Sequence, residues 1–471
     1  MSAGIGVDLI VVGAGPAGLG AATVAAEAGA RVVVLDDQSS AGGQVYRGIA
    51  RSDAASLAIL GEDYAKGRGL AERFAASGAE HRSGATVWQV TPEREVAYSC
   101  AGKSRIVSAP AILLATGALE RPMPVQGWTL PGVMTAGAAQ TLLKSSMLAA
   151  DDAVFAGSGP LLYLIAAQYL RAGVRIAAVL DTTDAGALRR SAWHTPAALL
   201  RGDLLAKGRR WIAEVEAGGA TVVRNITALR IDGETAATGV SYKTGGPDWT
   251  SVESQHVFLH QGVVPNVNLS ISTGMRHDWD AGQLCWRPVT DPWGHSSLDG
   301  IFVAGDGGGI SGATAAEAEG TLAGLAILAR LGRISARERD ARRRDAQAVL
   351  RSEGRIRPFL DAWFRPADAF RVPQDKTTIV CRCEELTAGD IEAAIGPGIA
   401  GPNQLKSFCR AGMGPCQGRQ CGLTVQEIIA QRTGRPLAEV GYYRLRPPIK
   451  PVRLEELADM ELPEASDAGG N

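Results

Sequence analysis

Residues 7–37 read VDLIVVGAGPAGLGAATVAAEAGARVVVLDD, and the fold turns on how that stretch is parsed. The apolar run Leu9 to Val12 has the composition of a strand buried on both faces. Gly13, Gly15 and Gly18 follow as G-x-G-x-x-G, with Pro16 and Ala17 between them. A helix of small residues comes next, and a second strand, Arg31 to Leu35, ends on Asp36. Gly13 permits the tight turn, Gly15 lets backbone N–H groups approach a pyrophosphate, and Gly18 lets helix and sheet pack closely. The helix N-terminus adds partial positive charge for the phosphates. Asp36 lies eighteen residues past Gly18 and can accept from a ribose hydroxyl. A bare glycine motif is weak, but here strand, turn, helix, second strand and terminal acid are all in place.

The pattern returns at Asp151–Thr183, DDAVFAGSGPLLYLIAAQYLRAGVRIAAVLDTT. Gly157 and Gly159 repeat the turn, Asp181 stands near the ribose position, and Leu162 replaces the third glycine. A leucine there pushes the helix off the sheet or projects into the nucleotide path, so this unit reads as degenerate. Its uncharged core, AVFAGSGPLLYLIAAQYL, sits at the lower length limit for a membrane span, but its GSGP is better read as a strand turning into a helix. A third stretch, GIFVAGDGGGISGATAAEAEGTLAGLAIL (Gly300–Leu328), runs a strand into Gly305 and Asp306, a glycine loop and a helix. A carboxylate at a strand end can accept from a polyol.

These pieces, with AILLATGALERP (Ala111–Pro122), resemble the two-dinucleotide-binding flavoproteins. The resemblance implies an α/β chain whose first Rossmann unit binds FAD and carries a second Rossmann-like unit as an insertion. It implies FAD contacts at Gly13, Gly15, Pro16, Ala17 and Gly18, with Asp36 on the adenosine ribose and the backbone around Val87 at the adenine. Gly42, Gly43 and Gln44 of AGGQ lie near the pyrophosphate or isoalloxazine. Ala115, Thr116 and Gly117 complete the set with Gly305 and Asp306, the aspartate facing the ribitol. The inserted unit lacks the C-x-x-C of thioredoxin reductases, which disfavours a dithiol–disulfide reductase; Cys100 and Cys285 read as core residues.

Five of the seven cysteines fall in a forty-one-residue window, as VCRCEE (Cys381, Cys383) and SFCRAGMGPCQGRQCG (Cys409, Cys416, Cys421). C-x-C is a poor zinc knuckle, because a chelating turn needs two intervening residues or more. Four thiolates among glycines suit a [2Fe–2S] cluster, whose sulfurs take hydrogen bonds from freed backbone N–H groups. Zinc and free thiols are the alternatives. Residues 378–435 resemble the bacterioferritin-associated-ferredoxin-like [2Fe–2S] domain, which carries Cys381, Cys383, Cys416 and Cys421 over as ligands and leaves Cys409 surplus.

The whole chain resembles the large FAD-containing subunit of heteromeric amino-acid and opine dehydrogenases, the group of octopine and nopaline oxidases, D-hydroxyproline dehydrogenase and hydrogen cyanide synthase. The stretches that carry this are VVVLDDQSSAGGQVYR, ATGALERPMPVQGWTLPGVMTAGAAQTLLK, HQGVVPN, AGDGGGISGATAAEAEG and RAGMGPCQGRQCG. The resemblance implies a partner subunit of the D-amino-acid-oxidase type, with its own FAD, that oxidises a C–N bond, and leaves room for a further small subunit. Electrons pass through an interfacial FMN in relatives, then to this chain's FAD and cluster, and on to a respiratory acceptor. It names no catalytic acid or base here, and the second unit is left empty or holding a nucleotide. The rival readings are a stand-alone NAD(P)H-dependent FAD/iron–sulfur reductase and a non-catalytic FAD/zinc scaffold or sensor.

The resulting division is 1–124 with 281–332 for the FAD unit, 125–280 for the insertion, and 333–375 for a charged helical linker. The [2Fe–2S] module follows at 376–440 and a tail at 441–471. Bulk composition agrees with several globular domains: 471 residues, 46% hydrophobic, 21% charged and 58 glycines. A net charge of −1 carries no nucleic-acid footprint. The N-terminus has no basic region before its apolar run, so the expected location is cytoplasmic, with membrane association only through the electron acceptor. Structural disulfides are not expected there. The histidines, His194, His256 and His260 among them, show no ligand spacing.

Overall fold

The computed structural model describes residues 6–460; residues 1–5 and 461–471, the end of the expected tail, lie outside the described residues. A five-stranded parallel sheet forms the first unit, in the order Ile301–Val303, Ala111–Leu114, Leu9–Val12, Val32–Asp36 and Glu80–Ser83. Leu9 pairs with Val32 on one side and Ala111 on the other. These central strands are buried throughout, which is why they read as unbroken apolar runs. The return of Ile301–Val303 to this sheet, some two hundred residues after Ala111–Leu114, makes the unit discontinuous. The helices Pro16–Glu27 and Ala313–Arg330 cross in close contact. A Cβ at Gly320 would lie 1.9 Å from the Ala17 carbonyl oxygen, so only glycine lets these backbones meet. An antiparallel meander, Thr86–Val90, Glu95–Cys100 and Lys103–Ser108, accompanies this sheet.

The second unit repeats the plan. Its parallel sheet runs Val133–Thr135, Val257–Gln261, Ala153–Ser158, Ile176–Asp181, Thr221–Val223, with its own meander at Ala228–Asp232, Gly239–Lys243 and Thr250–Glu253. The uncharged stretch is the strand Ala153–Ser158 followed by the helix Pro160–Arg171. Among the described residues no helix is long and apolar enough to cross a membrane. The chain passes between the units on two antiparallel strands, Ala118–Glu120 and Val263–Pro265. Beyond them Leu269 and Met275 enter the first unit's core, so the structural crossing lies near residue 262 rather than 280.

The charged segment after Arg330 forms surface helices, Ala336–Arg342 with no buried residue and Arg344–Gly354 with Ala346 alone buried. Ala346 packs against Ala318 and Leu322, and the Arg339 and Arg343 guanidinium groups lie over the Trp293 ring at 4.4 and 5.6 Å. The C-terminal module is α-rich: a short strand pair, Ile379–Cys381 with Leu386–Thr387, and the helices Ala388–Ala394, Pro402–Cys409 and Gly422–Thr433. Thr387 and Asp390 form a capping box that starts the first of these helices. Val380, Ile391, Leu405, Val425 and Ile429 make its core.

Candidate functional site

Four glycine-bearing segments converge at the C-terminal ends of the first sheet. A Cβ at Gly13 (φ +106°) would lie 2.4 Å from the Ala115 carbonyl oxygen, and one at Gly18 only 1.9 Å from that of Gly13. Gly43 faces Gly15, and Gly305 faces Ala17, each too closely for a side chain. The Gly42 N–H donates to the Ala14 carbonyl at 2.8 Å. Residues 13–18, 42–43, 115–117 and 305–307 thus wall one cradle with backbone, the surface a pyrophosphate requires. Thr116 Oγ1 donates to Asn266 O at 3.1 Å, which ties this wall to the returning chain.

Asp36 is buried, its Oδ2 accepting from Ala14 N at 2.5 Å and its Oδ1 from Gln38 N at 2.7 Å. Burial pushes its carboxyl up, against those two N–H groups. Val87 is buried on the neighbouring strand, which begins where Ala85 N donates to Asp36 O at 2.8 Å. Asp306 Oδ1 accepts from Ser311 N and Gly312 N at 2.8 and 3.0 Å, closing the loop before the helix. Gln44 is exposed, its amide oxygen taken by Arg47 at 3.0 Å. One cradle residue escaped sequence reasoning. Glu319 Oε2 accepts from Gly305 N at 2.8 Å and its Oε1 from Ser311 Oγ at 3.1 Å; burial pushes its carboxyl up to about 7. Nothing in AAEAEG distinguishes it from an ordinary helix-surface acid.

The second unit departs from the first at the equivalent acid. Asp181 Oδ1 accepts from Thr183 N at 2.8 Å, as Asp36 does from Gln38, but its Oδ2 takes the Tyr163 hydroxyl at 2.6 Å. Tyr163 is one residue past Leu162, which is itself wholly buried in the core. The leucine therefore packs beneath the helix and does not stand in a nucleotide path. Ser158 Oγ, inside the glycine turn, and Thr183 Oγ1 are buried without a hydrogen-bond partner among the described residues. His260, in register with Gly157, is buried with its Nδ1 2.6 Å from Glu120 Oε1, while Glu120 Oε2 accepts from Gly137 N at 2.8 Å.

In the C-terminal module, Cys381, Cys383, Cys416 and Cys421 come together from a strand end, a loop and the start of the helix Gly422–Thr433. They fall into two neighbouring pairs, Cys381 with Cys421 and Cys383 with Cys416. Among the described residues no three side chains of metal-ligating type converge on one point for a single ion. The Cys421 thiol and the N–H groups of Gly412, Glu384 and Cys383 hold the Cys381 thiol down at about 6; its partner Cys421 is pushed up. Cys383 is pushed up by burial. Gly414 is glycine for space, since a Cβ there would lie 2.3 Å from Cys383 Cβ. Tyr443 packs on Gly412 and Gly418. Cys409 belongs to neither pair, its Sγ donating to Leu405 O at 3.6 Å, and none of the seven cysteines is in a disulfide.

The module is locked to the body by long-range bonds. Trp128 Nε1 donates to Ile379 O at 2.6 Å, Trp286 Nε1 to Gln426 Oε1 at 3.0 Å, and Asn268 Nδ2 to Gln417 O at 3.0 Å. On the helix that Cys421 starts, buried Glu427 meets buried Arg371 at 2.7 Å. Burial pushes the Glu427 carboxyl up, and the Arg371 and Arg121 charges oppose this. Arg121 Nη2 donates to Leu284 O at 2.7 Å.

Comparison with known proteins agrees with this architecture. Residues 7–320 match the family described as pyridine nucleotide-disulphide oxidoreductase, and residues 375–460 match the sarcosine oxidase A3 domain. The chain is 45% identical over 462 residues to the opine oxidase A subunit of Rhizobium meliloti, covering 96% of this chain and 87% of that one. It is 32% identical to hydrogen cyanide synthase subunit HcnB of Pseudomonas protegens, covering 94% and 96%. The crystal structure of L-proline dehydrogenase from P. horikoshii superposes with a TM-score of 0.69 at 21% identity, covering 96% of this chain and 79% of that one, a likeness of fold.

Proposed function

Since the chain belongs to the pyridine nucleotide-disulphide oxidoreductase family, and within it to the family of the opine oxidase A subunit, we propose that it is the FAD- and [2Fe–2S]-bearing electron-transfer subunit of a heteromeric dehydrogenase. That enzyme oxidises the C–N bond of an amino acid, imino acid or opine, with the substrate held on a partner flavin subunit. The observation that carries this reading is the contrast between the two strand-end acids. Asp36 is held by backbone N–H groups alone, beside the glycine cradle, whereas Asp181 also takes the Tyr163 hydroxyl. A dinucleotide site at the first unit and none of the usual kind at the second argue for electrons arriving from a partner rather than from NAD(P)H.

FAD, held in the cradle, would supply the electron-carrying chemistry, while the protein sets its position and potential. Gly13, Gly15 and Gly18 would bring backbone N–H groups to its pyrophosphate, Asp36 would take the adenosine ribose, and Asp306 the ribitol. Glu319 holds the Gly305 N–H, and so the shape of the loop bearing Asp306, from beneath. In the module, Cys381, Cys383, Cys416 and Cys421 would hold the cluster. Two thiol pairs and several inward N–H groups suit a two-iron centre better than one zinc. The Asn268–Gln417 and Trp286–Gln426 bonds keep the module against the flavin unit, which electron transfer between them requires. An FMN at the interface with the partner and a respiratory acceptor complete the route.

The unpartnered Ser158 Oγ and Thr183 Oγ1, next to the N-terminus of the helix Pro160–Arg171, favour a nucleotide held in the second unit for structure rather than for hydride transfer.

The test is anaerobic purification with co-produced partner, followed by flavin, iron and zinc analysis and NADH addition. Flavin, about two irons per chain, a stoichiometric partner and no bleaching by NADH are expected. Prompt bleaching without a partner would instead mean a stand-alone NAD(P)H-dependent reductase; zinc without iron would mean a scaffold or sensor.

A further inference from the structure

Residues 187–199 form three short helical turns, Ala187–Ser191, Ala192–His194 and Thr195–Leu199, that lead into the helix Gly202–Ala217. On them Trp193 is 92% exposed, and Leu188, Leu199 and Leu200 are 67%, 64% and 66% exposed. Single exposed apolar residues are ordinary, but four large ones within thirteen residues form a patch that calls for a cover. The turns are folded, since Ala187, Ser191 and Ala198 are buried beneath them. They are also pinned to the body, with Arg190 Nε donating to Ala362 O at 3.2 Å and Nη1 to Asp184 at 2.8 Å.

Charge around the patch is one-sided. Arg190, Arg201 and Lys207 are paired with Asp184, Asp203 and Asp63. Exposed Arg189, Arg209 and Arg210 have no such carboxylate among the described residues. In a chain whose net charge is −1, this is a local excess. It decides between occupants. A second copy of the chain would meet the patch with the same patch in a two-fold contact, arginine toward arginine, which disfavours it. A bilayer is usually met by one long amphipathic helix with an apolar face. Here the apolar side chains stand on turns of five residues or fewer around one projecting indole, the form of a protein-interface anchor.

We propose that this knob seats the partner flavin subunit, which receives Trp193 in an apolar pocket rimmed by carboxylates. The proposal rests on the function argued above and adds where the partner binds.

Co-production of the full chain with that flavin subunit, wild type against Trp193→Asp/Leu199→Asp, tests it. Both substituted positions are in solvent, so flavin content, iron content and melting temperature should match wild type. Retention of the partner in size exclusion should fall at least tenfold. Arg209→Glu/Arg210→Glu should weaken association about tenfold at low salt and flatten its salt dependence. A Trp193→Asp/Leu199→Asp variant that keeps its partner at wild-type stoichiometry overturns the proposal while leaving the function intact. So does a variant that keeps its partner but loses binding to phosphatidylglycerol vesicles, which would make the patch a lipid surface. A wild-type chain that binds no flavin subunit overturns both the seat and the function it rests on.

Discussion

The Tyr163 hydroxyl donates to the Asp181 carboxylate at 2.6 Å. That bond occupies the one side chain of the second unit best placed to grip a ribose, and it joins a helix to the neighbouring strand end. Tyr163→Phe would leave Asp181 buried and short of a donor, at a cost of about 1–3 kcal/mol. Urea unfolding should register that loss, while NADH should still fail to reduce the flavin. Unchanged stability would show that the bond contributes nothing.

Gly18→Ala places a methyl 1.9 Å from the Gly13 carbonyl oxygen and 3.2 Å from Val11 Cγ1, and the backbone atom cannot yield. The flavin-to-protein ratio is expected to drop at least tenfold. Gly354→Ala serves as comparator, because Gly354 is likewise helical, without a positive φ, but has open space around it. It should keep its flavin.

Glu319 gives a pH dependence whose sign can be worked out. Burial raises its carboxyl from an ordinary 4.5 to about 7, so the folded chain holds this proton more tightly than the unfolded one. Its contribution to stability is full below pH 4.5 and is lost as pH rises through 7. Glu319→Gln removes that titration and keeps an acceptor for Gly305 N. Denaturant midpoints at pH 5 and pH 7.5 should therefore converge in the variant relative to wild type.

Cys381→Ser and Cys421→Ser each remove half of one thiol pair. Either is expected to abolish iron incorporation after anaerobic purification and to leave flavin content near wild type, since the cradle lies in another domain. Gly414→Ala should act similarly through its 2.3 Å approach to Cys383. Full iron content in Cys421→Ser would remove that residue from the ligand set.

Glu427→Ala leaves Arg371 with only the exposed Asp368 as a partner, and losing the buried half of its pairing costs up to about 3–5 kcal/mol. The module should loosen from the body before either unfolds. Limited proteolysis around residues 365–375 would then accelerate in the variant, and equal cleavage rates would argue against a tether.

Much of this protein is legible along the chain because its signals are local. Strand, glycine turn, helix and acid fall within thirty residues in each unit, and both units fold as that order dictates. The return of GIFVAGD to the first sheet was legible for the same reason. The crossing near residue 262 was not, because Leu269 and Met275 look alike whichever core they join. The linker's charges fit helices that lie at the surface, but they do not say that Arg339 and Arg343 cover Trp293, which lies some fifty residues upstream.

What the sequence determined by itself is the set of units, their order, and the residue types that suit phosphate, ribose and sulfur chemistry. Whether each site is open was decided by tertiary structure. Leu162 pointed to a fault in the second unit, but the group that takes Asp181 is Tyr163, one position on, and its hydroxyl is directed there by how the helix sits on the sheet. Glu319, Glu120 with His260, and Glu427 with Arg371 are likewise ordinary residues until folding brings their partners close. Backbone motifs are written in neighbouring residues because a turn is built from neighbours. Hydrogen bonds and charge pairs depend on distance in space, which only the packed chain supplies.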